Sequence, residues 1–168
     1  MPSRHRSRER ALQILYLWDM HRQQRQASPK PDAEDSKPPA GLTVRDALAA
    51  FYSPLMADED RDAPAPSRFT EELVTGVAEC AAELDEQIRK HSAHWRLERM
   101  PVVDRNLLRL AVYEMTRMST PPPIVIDEAL RLAKRFSNEA SVAFINGVLD
   151  AVRREQEEQG PPASPAGA

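Results

Sequence analysis

The hydrophobic positions near the amino terminus recur at the spacing of an α-helix over residues 7–25. When successive residues are placed about 100° apart, the apolar side chains converge on one face. That face consists of Ala11, Leu12, Ile14, Leu15 and Trp18. The opposite face carries polar, charged and phenolic side chains, namely Arg6, Glu9, Arg10, Gln13 and Tyr16. The pattern therefore predicts a first helix with one buried and one exposed face.

Four longer helices are predicted after Ser67. Apolar residues keep helical spacing over 68–92 and over 101–118, where Pro101 suits a first turn. A third helix ends near Phe136, and Ser137 is placed to cap the last one. No segment shows the alternation of a strand, so the residue pattern predicts an all-α single domain of five to seven helices.

Polar, proline-rich segments separate these helices. Residues 26–41 and 57–66 contain too little apolar surface to order themselves. Between them, Thr43 and Asp46 have the spacing of a capping box, and a short helix is predicted with the apolar residues Leu48, Phe51, Tyr52 and Leu55. The resulting boundaries are a basic arm over 1–6, a helical domain over 7–156 with a proline-rich insert at about 26–66, and a disordered tail over 157–168.

The composition indicates a globular chain from a reducing compartment. Its 168 residues are 41% hydrophobic and 29% charged, and Cys80 is the single cysteine. A lone cysteine cannot form an internal disulfide, which favours a reducing compartment. The first apolar run lacks a small-residue cleavage site after it, and no segment is long enough to span a bilayer. We expect a cytoplasmic protein with no membrane partner.

The arginines are concentrated at the amino terminus, although the formal net charge of the chain is −3. Residues 1–25 contain six arginines against Glu9 and Asp19, which indicates a local anionic partner. Guanidinium groups bind phosphate through two hydrogen bonds, an amide reads base edges, and a phenol ring stacks on bases. The polar face of the first helix therefore suits single-stranded RNA. An ordinary solvated face with Tyr16 half-buried explains the same residues equally well.

Side chains that could carry catalysis or hold a cofactor form no recognisable site. His91 and His94 are spaced to share a metal ion, but further ligands at a suitable spacing are missing, and a solvated pair is the better interpretation. Cys80 is interpreted as a small core residue on the helix of 68–92 rather than a nucleophile. The five glycines are too scattered for a phosphate-binding loop. We expect no catalytic residue, no metal and no cofactor, and therefore no enzyme.

Five sequence blocks, in order, resemble the NusB family of bacterial transcription antitermination factors. The first block is the arginine-rich start of the first helix, RSRERALQILYLWD at 6–19. The others are FTEELVTGV at 69–77, VDRNLLRLAVYEM at 103–115, PPIVIDEALRLAKRF at 122–136 and FINGVLDAV at 144–152. Five blocks in one order are far more specific than any one of them.

The resemblance implies an all-helical fold of about seven helices in two packed helical bundles. It also implies binding to the boxA element of nascent ribosomal RNA together with the ribosomal protein NusE. The pair would join an RNA polymerase complex that suppresses premature termination. Some family members self-associate through the RNA-facing surface, so the resemblance leaves a homodimer open.

The family's binding residues carry over by position. The RNA-binding residues implied by the resemblance are Arg4, Arg6, Arg8 and Gln13. The residues implied to face NusE are Tyr16, Asp104 and Phe144. Asn146 and Gly147 are assigned to packing instead, because glycine permits another helix to approach closely.

Two alternatives stay open. A NusB-like domain also occurs in an rRNA cytosine methyltransferase, which needs a cofactor-binding α/β domain downstream; we expect no such domain, because the sequence ends at Ala168. The other alternative is a helical domain for protein interaction without sequence-specific RNA binding. The presence of Arg4, Arg6, Arg8 and Gln13 argues against it.

Overall fold

The structure is a computed structural model that describes residues 3–27, 43–52, 67–92 and 95–160. These residues form seven α-helices: α1 (Arg4–Ala27), α2 (Val44–Phe51), α3 (Arg68–Glu79), α4 (Ala81–Lys90), α5 (Val102–Arg117), α6 (Pro122–Phe136) and α7 (Glu139–Gln159). One turn of 3-10 helix at Leu97–Arg99 precedes α5. No strand occurs in the described ranges, and the predicted all-α class with about seven helices is confirmed. The chain divides at the α3–α4 junction into two compact units, residues 1–79 and 80–168.

In the first unit, α2 and α3 pack against α1. The five apolar residues predicted to form the buried face of α1 are all buried, as are Leu73, Val74 and Val77 of α3. Helix α1 begins at Arg4, so the predicted basic arm is helical from that residue onward. The backbone N–H of Arg6 donates to Ser3 Oγ at 3.3 Å, which satisfies one free donor at the helix start.

The predicted capping box of α2 is confirmed. The backbone N–H of Asp46 donates to Thr43 Oγ1 at 3.1 Å, and the Thr43 N–H donates to Asp46 Oδ2 at 2.9 Å. The hydrogen bond from the Thr43 hydroxyl holds the pKa of the Asp46 carboxyl below its usual value. Leu55, predicted to share the apolar face of this helix, lies outside the described residues, as do 28–42 and 53–66.

The prediction of one continuous helix over 68–92 is wrong. Helix α3 ends at Glu79, and α4 begins at Ala81 after a turn at Cys80. Cys80 has φ −102° and ψ 11° and is half-buried, so it occupies the junction between helices rather than a helical core position. No glycine or proline marks the break, and the apolar spacing continues through it. Periodicity alone therefore could not locate this turn.

In the second unit, α5 contacts α4, α6 and α7, and its residues 104–112 are buried without interruption. A charged pair holds α5 to α4. Arg109 Nε donates to Asp85 Oδ1 at 2.6 Å, and Arg109 Nη2 donates to Asp85 Oδ2 at 2.9 Å. This two-bond geometry suits a planar guanidinium and a carboxylate, and it compensates the desolvation of both charges.

The α6–α7 junction differs from the prediction at one residue. Helix α5 ends at Arg117, and Pro122 opens α6, where a missing N–H costs nothing. The N-cap of α7 is Asn138 rather than Ser137, since Asn138 Oδ1 accepts from the Ser141 N–H at 2.8 Å. Ser137 instead ends α6, and its hydroxyl donates to Asp104 at 2.6 Å.

The packing role predicted for Asn146 and Gly147 is wrong. Both residues are exposed, and a Cβ added at Gly147 would meet nothing within 4 Å. The buried face of α7 consists of Ser141, Ile145, Val148, Leu149 and Val152. In the described part of the chain, no helix combines the length and apolar character needed to cross a membrane.

His91 is not the solvated residue that was predicted. Its Nε2 lies 2.7 Å from Glu155 Oε2 on α7, and Lys90 pairs with the same carboxylate. His94 lies outside the described residues. Hydrogen bonds from Lys90 first, and then from His91, hold the pKa of the Glu155 carboxyl below its usual value. The cluster therefore joins the end of α4 to α7.

We expect Glu155→Gln to lower stability at neutral pH and to matter less in acid. A carboxylate whose pKa is depressed in the folded state stabilises the fold above its unfolded pKa. That contribution disappears as the pH falls through the folded pKa. Urea midpoints at pH 7 and at pH 3 measure the change, with the exposed Glu158→Gln on the same helix as control. If the urea midpoint of Glu155→Gln differed from that of the parent chain as much at pH 3 as at pH 7, this prediction would be contradicted.

Candidate nucleic-acid and partner surfaces

The amino-terminal end of α1 is fixed by the start of α3. Ser7 Oγ lies 3.0 Å from Ser67 Oγ, and the Thr70 hydroxyl donates to the Ser7 carbonyl oxygen at 3.2 Å. Ser67 Oγ also accepts from the Thr70 N–H at 3.1 Å. Because Ser7 and Thr70 are buried, these bonds are protected from competing water. They hold the basic end of α1 in one place on α3.

Two of the predicted RNA-binding arginines share one aromatic ring. The guanidinium carbon of Arg4 lies 5.3 Å from the centroid of the Phe69 ring, and that of Arg8 lies 5.4 Å from it. Arg4 is exposed, whereas Arg8 is only 5% exposed. A guanidinium is weakly hydrated and stacks on aromatic faces, which allows this burial.

The burial of Arg8 sets it apart from Arg4 and Arg6, the other two arginines predicted to contact RNA. Arg8 precedes Leu12 by one helical turn and therefore lies on the buried face of α1. Its burial leaves little surface for a phosphate. Its guanidinium group instead lies against the Phe69 ring that Arg4 also contacts.

The exposed face of α1 keeps the predicted order of functional groups. Arg6 and Gln13 are exposed, and Tyr16 is 41% exposed. Arg6 and Gln13 are two turns apart, about 10 Å along the axis, and Tyr16 follows less than one turn later. A guanidinium, an amide and a phenol ring therefore follow one line on the helix surface. This line can bind a phosphate, read a base edge and stack on a base.

In the second unit, Asp104 is buried, although the resemblance implies that it faces NusE. It is 3% exposed, and its two carboxylate oxygens accept hydrogen bonds from Ser137 Oγ at 2.6 Å and from Ser141 Oγ at 2.5 Å. The carboxylate therefore joins the start of α5 to the α6–α7 junction. Its side chain offers almost no surface to a partner.

Phe144, which the resemblance implies to face NusE, is half-buried on α7. Its ring lies against Trp95, with ring centroids 5.5 Å apart and planes inclined at 50°. Trp95 is 59% exposed and was not singled out by the sequence reasoning. A tryptophan between two helical segments, in a run of polar residues, is the signal that could have drawn attention to it. Tyr16, the third residue implied to face NusE, lies in the first unit.

Across the described ranges, no group of three His, Cys, Asp or Glu side chains is placed to hold a metal ion. The structure presents a line of arginine, amide and phenol groups on α1, and an aromatic pair on the second unit. These features define an all-helical protein with a surface chemically suited to RNA.

Comparison with known proteins gives the family. A model described as the NusB family matches residues 5–154. A transcription antitermination protein NusB from Solibacter usitatus is 52% identical over 166 residues, which cover 99% of this chain and 97% of that protein. A NusB from Myxococcus xanthus is 39% identical, over 90% of this chain and 95% of that protein. The chain belongs to the NusB family.

Solved structures agree in fold. NusB from T. maritima superposes with a TM-score of 0.67 at 26% identity, covering 94% of this chain and 96% of that one. A structure of antitermination factors NusB and NusE with double-stranded RNA gives a TM-score of 0.68 at 23% identity, over 92% of this chain and 100% of that one. The helical fold of the family is therefore the fold of this chain.

Proposed function

We propose that this chain is an RNA-binding transcription antitermination factor. It binds the boxA element of nascent ribosomal RNA, acts together with the ribosomal protein NusE, and joins the RNA polymerase antitermination complex in the cytoplasm. The observation that carries the proposal is the exposed line of Arg6, Gln13 and Tyr16 on α1 of a NusB-family chain.

The RNA site in this proposal consists of Arg4, Arg6 and Gln13, with Arg8 in support. Arg4 and Arg6 are exposed and lie in the first turn of α1, where they supply positive charge for the phosphates. The hydrogen bonds among Ser7, Ser67 and Thr70 hold that turn on α3. A site fixed before binding loses less side-chain entropy when RNA binds.

The NusE contacts in this proposal are Tyr16 and Phe144, and Asp104 acts on them indirectly. Asp104 accepts from Ser141, which lies one turn before Phe144 on α7. It therefore sets the position of the helix that carries Phe144. This arrangement gives Asp104 a positioning role rather than a contact.

We expect Gln13→Ala to reduce discrimination between boxA RNA and a scrambled RNA by about tenfold. The loss of one base contact costs about 1–3 kcal/mol. Because an amide carries no charge, the dependence of affinity on salt should stay the same. Fluorescence anisotropy with both RNAs measures the ratio, and the exposed Gln26→Ala in the last turn of α1 is the control. Unchanged discrimination in Gln13→Ala would remove Gln13 from the site.

The second candidate is a helical domain for protein interaction without RNA binding. The burial of Arg8 favours it, because only Arg4 and Arg6 of the predicted arginine group are exposed. The two functions differ in one measurement. The interaction domain would bind NusE and show no preference for boxA over scrambled RNA.

A further inference from the structure

Packing among the described residues of the second unit does not explain why Trp95 is exposed. The chain contains two tryptophans. Trp18 is 7% exposed in the core of the first unit, whereas Trp95 is 59% exposed. The backbone N–H of Trp95 donates to the Ser92 carbonyl oxygen at 2.9 Å. A large apolar side chain is thus presented to solvent.

Contact with Phe144 restricts the indole ring. The two ring centroids are 5.5 Å apart and the planes are inclined at 50°, within the range of favourable aromatic pairs. Phe144 is itself half-buried on α7, so one ring of the pair is packed against its own helical unit. Fixed aromatic side chains lose little entropy on binding and are the side chains most enriched among binding hot spots.

The exposed surface of α7 beside Phe144 carries only small, uncharged side chains. Residues 140–149 contain no charged side chain, and the exposed positions among them are Ala140, Ala143, Asn146 and Gly147. A Cβ at Gly147 would meet nothing within 4 Å, so the fold does not require glycine there. Glycine inside a helix costs about 1 kcal/mol relative to alanine. A partner whose backbone approaches this face closely would account for it.

The lack of charge on α7 decides which class of ligand this surface fits. RNA binding requires basic side chains for the phosphates, and this face has none between Glu139 and Asp150. Arg96 and Arg99 are exposed close to Trp95 in sequence, and arginine is suited to binding either RNA or a protein. Aromatic residues and arginine around an uncharged centre are characteristic of protein interfaces.

We propose that Trp95 anchors NusE, on a surface completed by Phe144, Ala140, Ala143 and Gly147. The inference rests on the proposed function, which makes NusE the partner and Phe144 a contact. It adds Trp95 as the main anchoring side chain and Gly147 as the point of closest approach.

The first test labels the full-length chain with 5-fluorotryptophan, so that unlabelled NusE is silent in ¹⁹F NMR. Two resonances are expected, and Trp18→Phe assigns them. Addition of NusE should shift the Trp95 resonance and leave that of Trp18 in place. A Trp95 resonance unchanged at saturating NusE would overturn the inference, and so would a shift produced by boxA RNA alone.

The second test measures NusE affinity by isothermal titration calorimetry. Trp95→Ala should weaken binding about thirtyfold, the effect of losing a hot spot of about 2 kcal/mol. Gly147→Leu should also weaken it, because the new side chain blocks close approach, while its Cβ has no atom within 4 Å. Ala82→Leu, at an exposed position of α4, is the matched control and should bind normally.

The outcomes separate this inference from the proposed function. If the parent chain fails to bind NusE, the proposed partner is wrong. If the parent chain binds NusE and Trp95→Ala and Gly147→Leu bind it equally well, the partner stands and this surface is wrong. Thermal unfolding of each variant shows that the affinity was measured on folded protein.

Discussion

Replacing Arg4 and Arg6 together with alanine should flatten the salt dependence of RNA binding by about 1.4 units of slope. Each phosphate contact with single-stranded RNA contributes about −0.7 to the slope of log affinity against log salt. With two such contacts, from Arg4 and Arg6, the parent chain should lose about sevenfold in affinity between roughly 50 and 200 mM salt. The double variant should lose almost no affinity over the same range.

A charge-matched control makes this result specific to the amino-terminal turn. Arg22 and Arg25 are exposed near the end of the same helix, about 24 Å or more from Arg6 along the axis. Their double alanine variant should keep nearly the full slope. If both double variants flatten it equally, the arginines act only through overall charge, and the proposed site on α1 is wrong.

Asp104→Ala should lower the free energy of unfolding by about 3 kcal/mol. The carboxylate accepts from Ser137 at 2.6 Å and from Ser141 at 2.5 Å while only 3% exposed. Hydrogen bonds to a charged group contribute about 1.5–3 kcal/mol each, and the variant leaves the Ser141 hydroxyl buried without its acceptor. Urea unfolding of the full chain measures the loss.

Two further variants show whether the carboxylate itself is responsible. Asp104→Asn keeps one acceptor oxygen and should lose about half as much, since its amide nitrogen cannot accept. Asp127, which is exposed and pairs with Arg131 at 3.2 Å, is the control, and Asp127→Ala should cost less than about 1 kcal/mol. Equal losses in Asp104→Ala and Asp127→Ala would show that the buried bonds contribute nothing beyond a surface carboxylate.

Helix positions were predictable where apolar spacing and capping residues agreed. The buried face of α1 and the Thr43–Asp46 capping box follow from side-chain geometry within one helix. The break at Cys80 could not be predicted in this way, because the apolar spacing of α3 continues into α4. Where a helix turns without a glycine or proline, tertiary packing decides, and a single sequence does not contain that information.

Which candidate site residues are exposed could be predicted for Arg6 and Gln13 but not for Arg8 and Asp104, and the binding roles of all four stay predictions. Arg6 and Gln13 lie opposite the apolar face of α1, so helical geometry predicts their exposure. Arg8 and Asp104 were placed at binding surfaces on the basis of family position and charge. Arg8 lies one turn before the buried Leu12, and Asp104 lies one turn before the buried Leu107 and Leu108. This spacing was the available signal that both side chains would be buried. Their partners, Phe69 and two serines, are distant in sequence and come together only on folding.

The most direct test of the central claim is a titration of this chain with a boxA-like RNA and with a scrambled RNA of equal length, each with and without NusE. If the chain is a boxA-binding antitermination factor, boxA should bind about tenfold tighter than the scrambled RNA, the effect of one or two base contacts. NusE should tighten boxA binding further. Equal affinity for the two RNAs, unchanged by NusE, would contradict the proposed function.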